Sequence, residues 1–367
     1  MPLIRKNIFN ITSYKPGKSV EELKRQQELK NVIKLASNEN PLGGSPKARE
    51  AISRALNQIN RYPEGNCFYL RQALSRELKL KPEMFIFGNG SDELIDVVIK
   101  TFVEDDESII TADITFLEYA ILARVLGRRI VKVGLDDFRY DLNAMLKKIG
   151  RKTKVIFIAN PNNPTGTYVN KSQLDEFINR VPERVIIVLD EAYDIFVDVD
   201  DFPQSLSYLR KRNNVIILKT FSKAYGLAGL RIGYALGNPG LISYMERVRH
   251  PFNVNSLAQV GATAALEDRE YIKKTRRVIL QGRSYISSQL NKLGLTFVPS
   301  VANFILIDAG RNGLWLYKQM LKYGVIIRDM QQYGLDNFIR VTIGTPPENK
   351  RFIQVLKKIY KYRNPDF

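Results

Sequence analysis

Cysteine and histidine are almost absent from this chain of 367 residues, where Cys67 and His250 stand alone. One cysteine cannot close an internal disulfide, so a disulfide scaffold is excluded and a reducing compartment such as the cytoplasm is the expectation. One histidine excludes catalysis by a histidine pair and any multi-histidine metal site, and no metal is expected. His250 itself sits in the connector Arg249-His250-Pro251-Phe252-Asn253 and reads as structural. No apolar run approaches the ~20 residues of a membrane span. The opening Met1-Pro2-Leu3-Ile4-Arg5-Lys6-Asn7 lacks the apolar core of a signal peptide. Internal repeats and low-complexity linkers are missing too.

Positive charge, in contrast, is plentiful: 56 Lys and Arg against 38 Asp and Glu give a net charge of +18. A nucleic-acid-binding protein would explain that balance, but the basic residues are scattered through amphipathic segments rather than gathered in one tract. Lys147-Lys148, Lys273-Lys274 and Lys357-Lys358 each read as the wet face of a helix. Solvated helix faces, with some attraction for small anions, are therefore expected in place of nucleic acid or membrane. The hydrophobic share of 44% and charged share of 26% are those of an ordinary globular protein. The length leaves room for two lobes.

Along the chain, residues 1–30 are polar and basic and read as a segment that packs on another lobe or subunit. From there buried β-branched runs alternate with amphipathic helices. Strands are expected near 84–87, 108–111, 130–133, 154–159, 185–189 and 215–218, with helices between them. Such alternation predicts an α/β fold with an open, mostly parallel sheet covered by helices. Past about residue 240 long helices and a few short strands suggest a smaller α+β lobe, which sets the expected domains at 31–245 and 246–367.

In an open sheet of this kind the ligand sits beyond the carboxyl ends of the strands, so the residues just after each strand carry the chemistry. Gly88-Asn89-Gly90-Ser91-Asp92-Glu93 runs straight into a helix, which can make a phosphate cradle from free N–H groups and the helix dipole. Simple helix capping is the competing account. Asn160-Pro161-Asn162-Asn163-Pro164-Thr165-Gly166 forms a stiff loop, and Asp190-Glu191-Ala192-Tyr193 places a carboxylate at a buried strand end, where it needs a cation. Thr220-Phe221-Ser222-Lys223 delivers hydroxyls and a lysine into small residues and Arg231. Read alone, that lysine could be a loop residue on the surface. Taken together, one crevice would hold an amide, a carboxylate, a phenol, a lysine and two phosphate-ready loops.

These motifs, in order and over nearly the whole chain, resemble the fold-type I pyridoxal-phosphate aminotransferases. Asn38-Glu39-Asn40-Pro41-Leu42-Gly43, Arg61-Tyr62-Pro63 and Arg340-Val341-Thr342-Ile343-Gly344-Thr345 are similar to the histidinol-phosphate branch of that family, although aromatic aminotransferases and threonine-phosphate decarboxylase share much of the pattern. The resemblance implies pyridoxal 5'-phosphate as cofactor and amino exchange between L-histidinol phosphate and 2-oxoglutarate, giving glutamate, in histidine biosynthesis. It makes 31–245 the cofactor-binding domain. Lys223 would hold the cofactor aldehyde and then move a proton, Asp190 would keep the ring nitrogen protonated, and Asn163 and Tyr193 would bond the ring oxygen. Gly90, Ser91, Asp92, Thr220, Ser222 and Arg231 would bind the phosphate, joined by Tyr62 from a neighbouring subunit, which implies a homodimer with shared sites. Phe116 would stack on the ring, with Ile114 standing where the family carries proline. Arg340 would take the α-carboxylate of glutamate, and Arg328 the substrate phosphate or the glutamate side chain. Tyr14 and Asn38 would complete the substrate site.

Overall fold

The computed structural model describes residues 3–27, 31–310 and 312–361. Parts of the expected N-terminal segment (1–2 and 28–30) and the end of the expected small domain (362–367) lie outside the described residues. Seven strands of the described residues form the central sheet: β1 (Phe85–Gly88), β2 (Ser108–Ala112), β3 (Arg129–Val133), β4 (Thr153–Ala159), β5 (Ile186–Asp190), β6 (Val215–Thr220) and β7 (Gly233–Gly237). Their spatial order is β1-β7-β6-β5-β4-β2-β3. Pairing is parallel throughout β6-β5-β4-β2-β3, whereas β7 runs antiparallel to both β1 and β6.

Burial explains the composition of these strands. β1, β2, β5 and β7 are buried at every position, and continuous Val, Ile and Phe runs are what a sheet covered on both faces requires. The helix Ser91–Phe102 buries Leu94, Ile95, Val97, Val98 and Ile99 on the sheet, with Asp92 and Glu93 in its first turn, where the helix dipole favours negative charge.

The direction of β7 has a functional consequence. Strands β1, β4, β5 and β6 end at one edge of the sheet, and the reversed β7 begins there. The loops after Gly88, Ala159, Asp190 and Thr220 and the approach to Gly233 therefore converge. That convergence places the five chemistry-bearing segments around one spot.

The small lobe holds an antiparallel four-stranded sheet in the order Phe297–Val298, Phe304–Asp308, Phe338–Thr342, Arg328–Asp329. Its core gathers Phe304, Ile305, Ile339, Val341 and Phe352. The lobe begins later than the expected boundary at 246. Helix Ser256–Leu266 buries Ala258, Ala262 and Ala265 in the core of the large sheet, because its small residues allow close packing on helices Pro46–Ala55 and Phe68–Leu78. The division falls in the long helix Arg269–Lys292, whose Ile279, Ile286 and Leu290 join the small core. The N-terminal segment touches both lobes. Asn7 donates to the carbonyls of Arg124 and Val125, whereas Leu23 packs with Ala36, Leu321 and Ile326.

Candidate active site

A cavity of about 440 Å³ opens where the strand ends converge, between the large sheet and the small lobe. Its wall contains Ser91, Asp92, Phe116, Asn163, Asp190 and Tyr193, and further round Thr220, Ser222, Lys223, Arg231 and Arg340, with Tyr14 and Asn38 at the N-terminal side.

Asp190 is the last residue of β5 and only 6% exposed. Its Oδ2 accepts from the Tyr119 hydroxyl at 2.6 Å and its Oδ1 from the Ala192 N–H at 3.3 Å. Among the described residues it has no ion-pair partner. Burial pushes its carboxyl up to about 6, against the lowering effect of the Tyr119 hydrogen bond. A carboxylate kept ionisable at this depth, and facing a cavity, is arranged to receive a cation from a ligand.

Lys223 presents the opposite case. Burial first, and the Arg340 cation second, hold its ammonium down at about 8. Its Nζ donates to the Ser37 carbonyl at 3.2 Å. An amine that sheds its proton near neutrality can attack a carbonyl and carry protons.

On one flank the helix Ser91–Phe102 points its N-terminus into the cavity wall. Gly90 caps it at φ 84° and ψ 166°, a conformation that is essentially reserved to glycine. A Cβ there would come within 2.4 Å of Arg231 Nη2. Gly90 therefore does not line the cavity itself; it leaves room for the guanidinium that does. Arg231 pairs with Asp92 at 2.9 Å, and the Ser222 N–H donates to Thr220 Oγ1 at 3.0 Å. Free helix N–H groups, hydroxyls and a guanidinium converge, which is the chemistry of a phosphate site.

On the other flank stands Arg340. It donates to Asn163 Oδ1 and, at 3.0 Å, to the Ala36 carbonyl, with its guanidinium over the Phe304 ring at 5.2 Å. Its Nε is buried and has no hydrogen-bond partner among the described residues. Asn38, at φ 55°, donates to the Tyr193 hydroxyl at 3.0 Å and is itself held by Thr342 and Asn303. The Tyr193 hydroxyl thus accepts from a fixed donor.

Besides Gly90, two more of the expected residues lie off the cavity wall. Tyr62 is 83% exposed and stacks on Phe252 at 4.9 Å, outside the cavity wall of this chain. Arg328 sits one layer back: it donates to the Lys15 carbonyl at 2.6 Å and Gln332 Oε1 at 3.2 Å, under the Tyr14 ring. Its strand position is directly opposite Arg340. Two buried arginines facing each other across neighbouring strands repel, and among the described residues no carboxylate pairs with either. That concentration of positive charge suits an anionic ligand.

Tyr119 escaped the sequence reading. A signal for it existed, since it lies three residues after Phe116, one helical turn on, and so faces the same way. Phe116 lines the cavity and meets the Tyr119 ring edge-on at 5.7 Å.

Comparison with known proteins agrees with this geometry. Residues 30–356 match the family model described as aminotransferase class I and II. A curated relative from Moorella thermoacetica, a histidinol-phosphate aminotransferase, is 48% identical, covering 98% of this chain and 93% of its own. One from Nitrosococcus oceani, histidinol-phosphate aminotransferase 1, is 43% identical over 96% of this chain and 95% of its own. Among solved structures, the histidinol-phosphate aminotransferase of Sinorhizobium meliloti in complex with pyridoxal-5'-phosphate superposes with a TM-score of 0.89 at 29% identity, covering 98% of this chain and 99% of that one. An L-threonine-O-3-phosphate decarboxylase from Porphyromonas gingivalis has a TM-score of 0.77 at 23% identity, covering 90% and 100%, a likeness of fold alone.

Proposed function

The chain belongs to the class I and II aminotransferase family, and from that premise we propose that it exchanges an amino group between L-histidinol phosphate and 2-oxoglutarate, with pyridoxal 5'-phosphate as cofactor. The names of the relatives that align over nearly the full length support the substrate. The residues of the cavity fit the cofactor. A phosphate cradle, a buried carboxylate with no ion-pair partner among the described residues and an amine that deprotonates near neutrality line one space of suitable size. When bound, that cofactor supplies an aldehyde that captures an amine and a protonated ring that withdraws electrons from the substrate carbon.

The chain's own residues divide the remaining work. Asp190 holds a proton on the ring nitrogen by offering it a buried negative charge. Ser91, Asp92, Thr220, Ser222 and Arg231 anchor the phosphate, and Phe116 covers a ring face. Asn163 and Tyr193 address the ring oxygen. Lys223 would hold the aldehyde through Nζ, and the same amine, when free, would carry a proton between carbons.

One observation carries the choice of substrate class: Arg340, buried on the cavity wall, pairs with no carboxylate among the described residues. A carboxylate of glutamate or 2-oxoglutarate supplies the missing anion as a two-pronged partner. Arg328, one strand over behind Tyr14, adds positive field on the side where a substrate phosphate or second carboxylate lies.

We further propose that the enzyme works as a cytoplasmic homodimer. The exposed side chains Ile59, Tyr62, Phe68, Tyr69 and Phe252 support the dimer, with Tyr62 serving the neighbouring site. Turnover decides the substrate. Glutamate formation from 2-oxoglutarate is measured with L-histidinol phosphate and with L-phenylalanine as donors; preference for the phosphate is expected, and a clear preference for phenylalanine overturns the reading.

A further inference from the structure

The Asp190 carboxylate does not stand alone against its ligand. The Tyr119 hydroxyl donates to Oδ2 at 2.6 Å, and Tyr119 is fully buried. Its ring is held by two others, stacked on Phe157 at 4.8 Å and 13° and in an edge-on contact with Phe116. A phenol so clamped has one direction in which to donate. The Ala192 N–H takes the other carboxylate oxygen. Each oxygen of Asp190 is thereby tied by one donor, and the group's rotation about its own bond is fixed.

We propose that Tyr119 is a positioning residue: it locks the orientation of Asp190 and keeps it ionised, ready for the ring nitrogen of the cofactor. This rests on the proposed function. The helix Leu117–Val125, with Phe116 as its N-cap, then performs two tasks within one turn. Phe116 addresses a ring face, and Tyr119 acts on the ring nitrogen through Asp190. Removing the hydroxyl frees a carboxylate oxygen in a buried place, where a proton is the cheapest replacement for the lost donor.

The charged and titratable groups around Asp190 bear on the sign. Asp92, on the helix that carries the phosphate cradle, raises its proton affinity, and Lys223 lowers it. Tyr140 and Tyr193 stand nearby as uncharged phenols, both pushed up to about 12 by burial. Of these groups, Tyr119 alone donates a hydrogen bond to the carboxylate among the described residues. Its loss therefore moves the Asp190 titration upward from about 6.

The test uses the full chain stripped of cofactor and titrated with pyridoxal 5'-phosphate across pH, followed by visible absorbance. The parent chain binds tightly above the Asp190 titration and loses affinity below it. Tyr119→Phe keeps the ring and its packing. Its affinity at neutral pH falls roughly tenfold, the worth of one hydrogen bond to a charged group, and the pH at which affinity drops moves up. In an Asp190→Asn background the same substitution changes neither quantity. A uniform loss of affinity with an unmoved pH midpoint, or an equal loss in the Asp190→Asn background, overturns the proposal and leaves Tyr119 as packing only. Failure of the parent chain to bind the cofactor at all overturns the functional reading instead.

Discussion

Arg340 offers the sharpest division between recognition and electrostatics, because two substitutions separate them. Arg340→Lys keeps the positive charge near Lys223 but forfeits the planar fork that grips a carboxylate with two parallel hydrogen bonds. A charge-assisted hydrogen bond is worth about 1.5–3 kcal/mol. Losing one prong therefore raises the KM for 2-oxoglutarate roughly 10- to 150-fold, while cofactor capture by Lys223 is little altered. Arg340→Gln removes the charge as well. Arg340 is the second cause, after burial, that holds the Lys223 ammonium at about 8. With it gone the lysine titrates higher, though burial keeps it below an ordinary lysine. Initial rates against 2-oxoglutarate concentration, together with the pH dependence of cofactor capture, report both effects. A KM in Arg340→Lys within twofold of the parent refutes the carboxylate assignment. A Lys223 titration unmoved in Arg340→Gln refutes the electrostatic one.

Other outcomes follow from the same structure. Lys219 pairs with Glu191 at 2.6 Å and with Asp194, tying the loop of Asp190 and Tyr193 to the strand that leads to Lys223. Lys219→Met leaves a 3% exposed Glu191 side chain without its cation and should cost about 3–5 kcal/mol, read as a lower thermal unfolding midpoint. Gly90→Ala forces a side chain into a glycine-only conformation and against Arg231. About 1–3 kcal/mol of strain should lower the thermal unfolding midpoint, and displacement of Arg231 should weaken affinity for pyridoxal 5'-phosphate. Lys223 titrates from about 8, so its capture of a carbonyl should rise between pH 7 and 9 and then level off. A surface lysine would still be climbing steeply above pH 9, and that result in a stopped-flow absorbance series contradicts its burial.

The strand-and-loop logic was legible because it depends on local chemistry. Continuous Val and Ile runs such as Val215 to Leu218 can only be covered strands, and Asp190 at the end of one demands a cation. The reversal of β7 was not legible, since Gly233–Gly237 is buried at every position like the parallel strands of the sheet and direction leaves no mark on composition. That reversal brings Arg231 to the site. Helix Ser256–Leu266 was placed with the small lobe because chain order suggested it; its alanines in fact pack on the large one. The cross-strand pairing of Arg328 with Arg340 depends on register between distant segments, which no single-sequence pattern records. Tyr119 was missed for a related reason. A phenol in an amphipathic helix reads as core until a carboxylate is found at its hydroxyl.

The central claim is that Lys223 is the residue that takes the cofactor. Pyridoxal 5'-phosphate is added to the full chain, the adduct is reduced with borohydride, and the labelled peptide is identified by mass spectrometry. A single label on Lys223 is expected, abolished by Lys223→Ala with the fold intact by circular dichroism. A label on another lysine, or none while the chain remains folded, contradicts it.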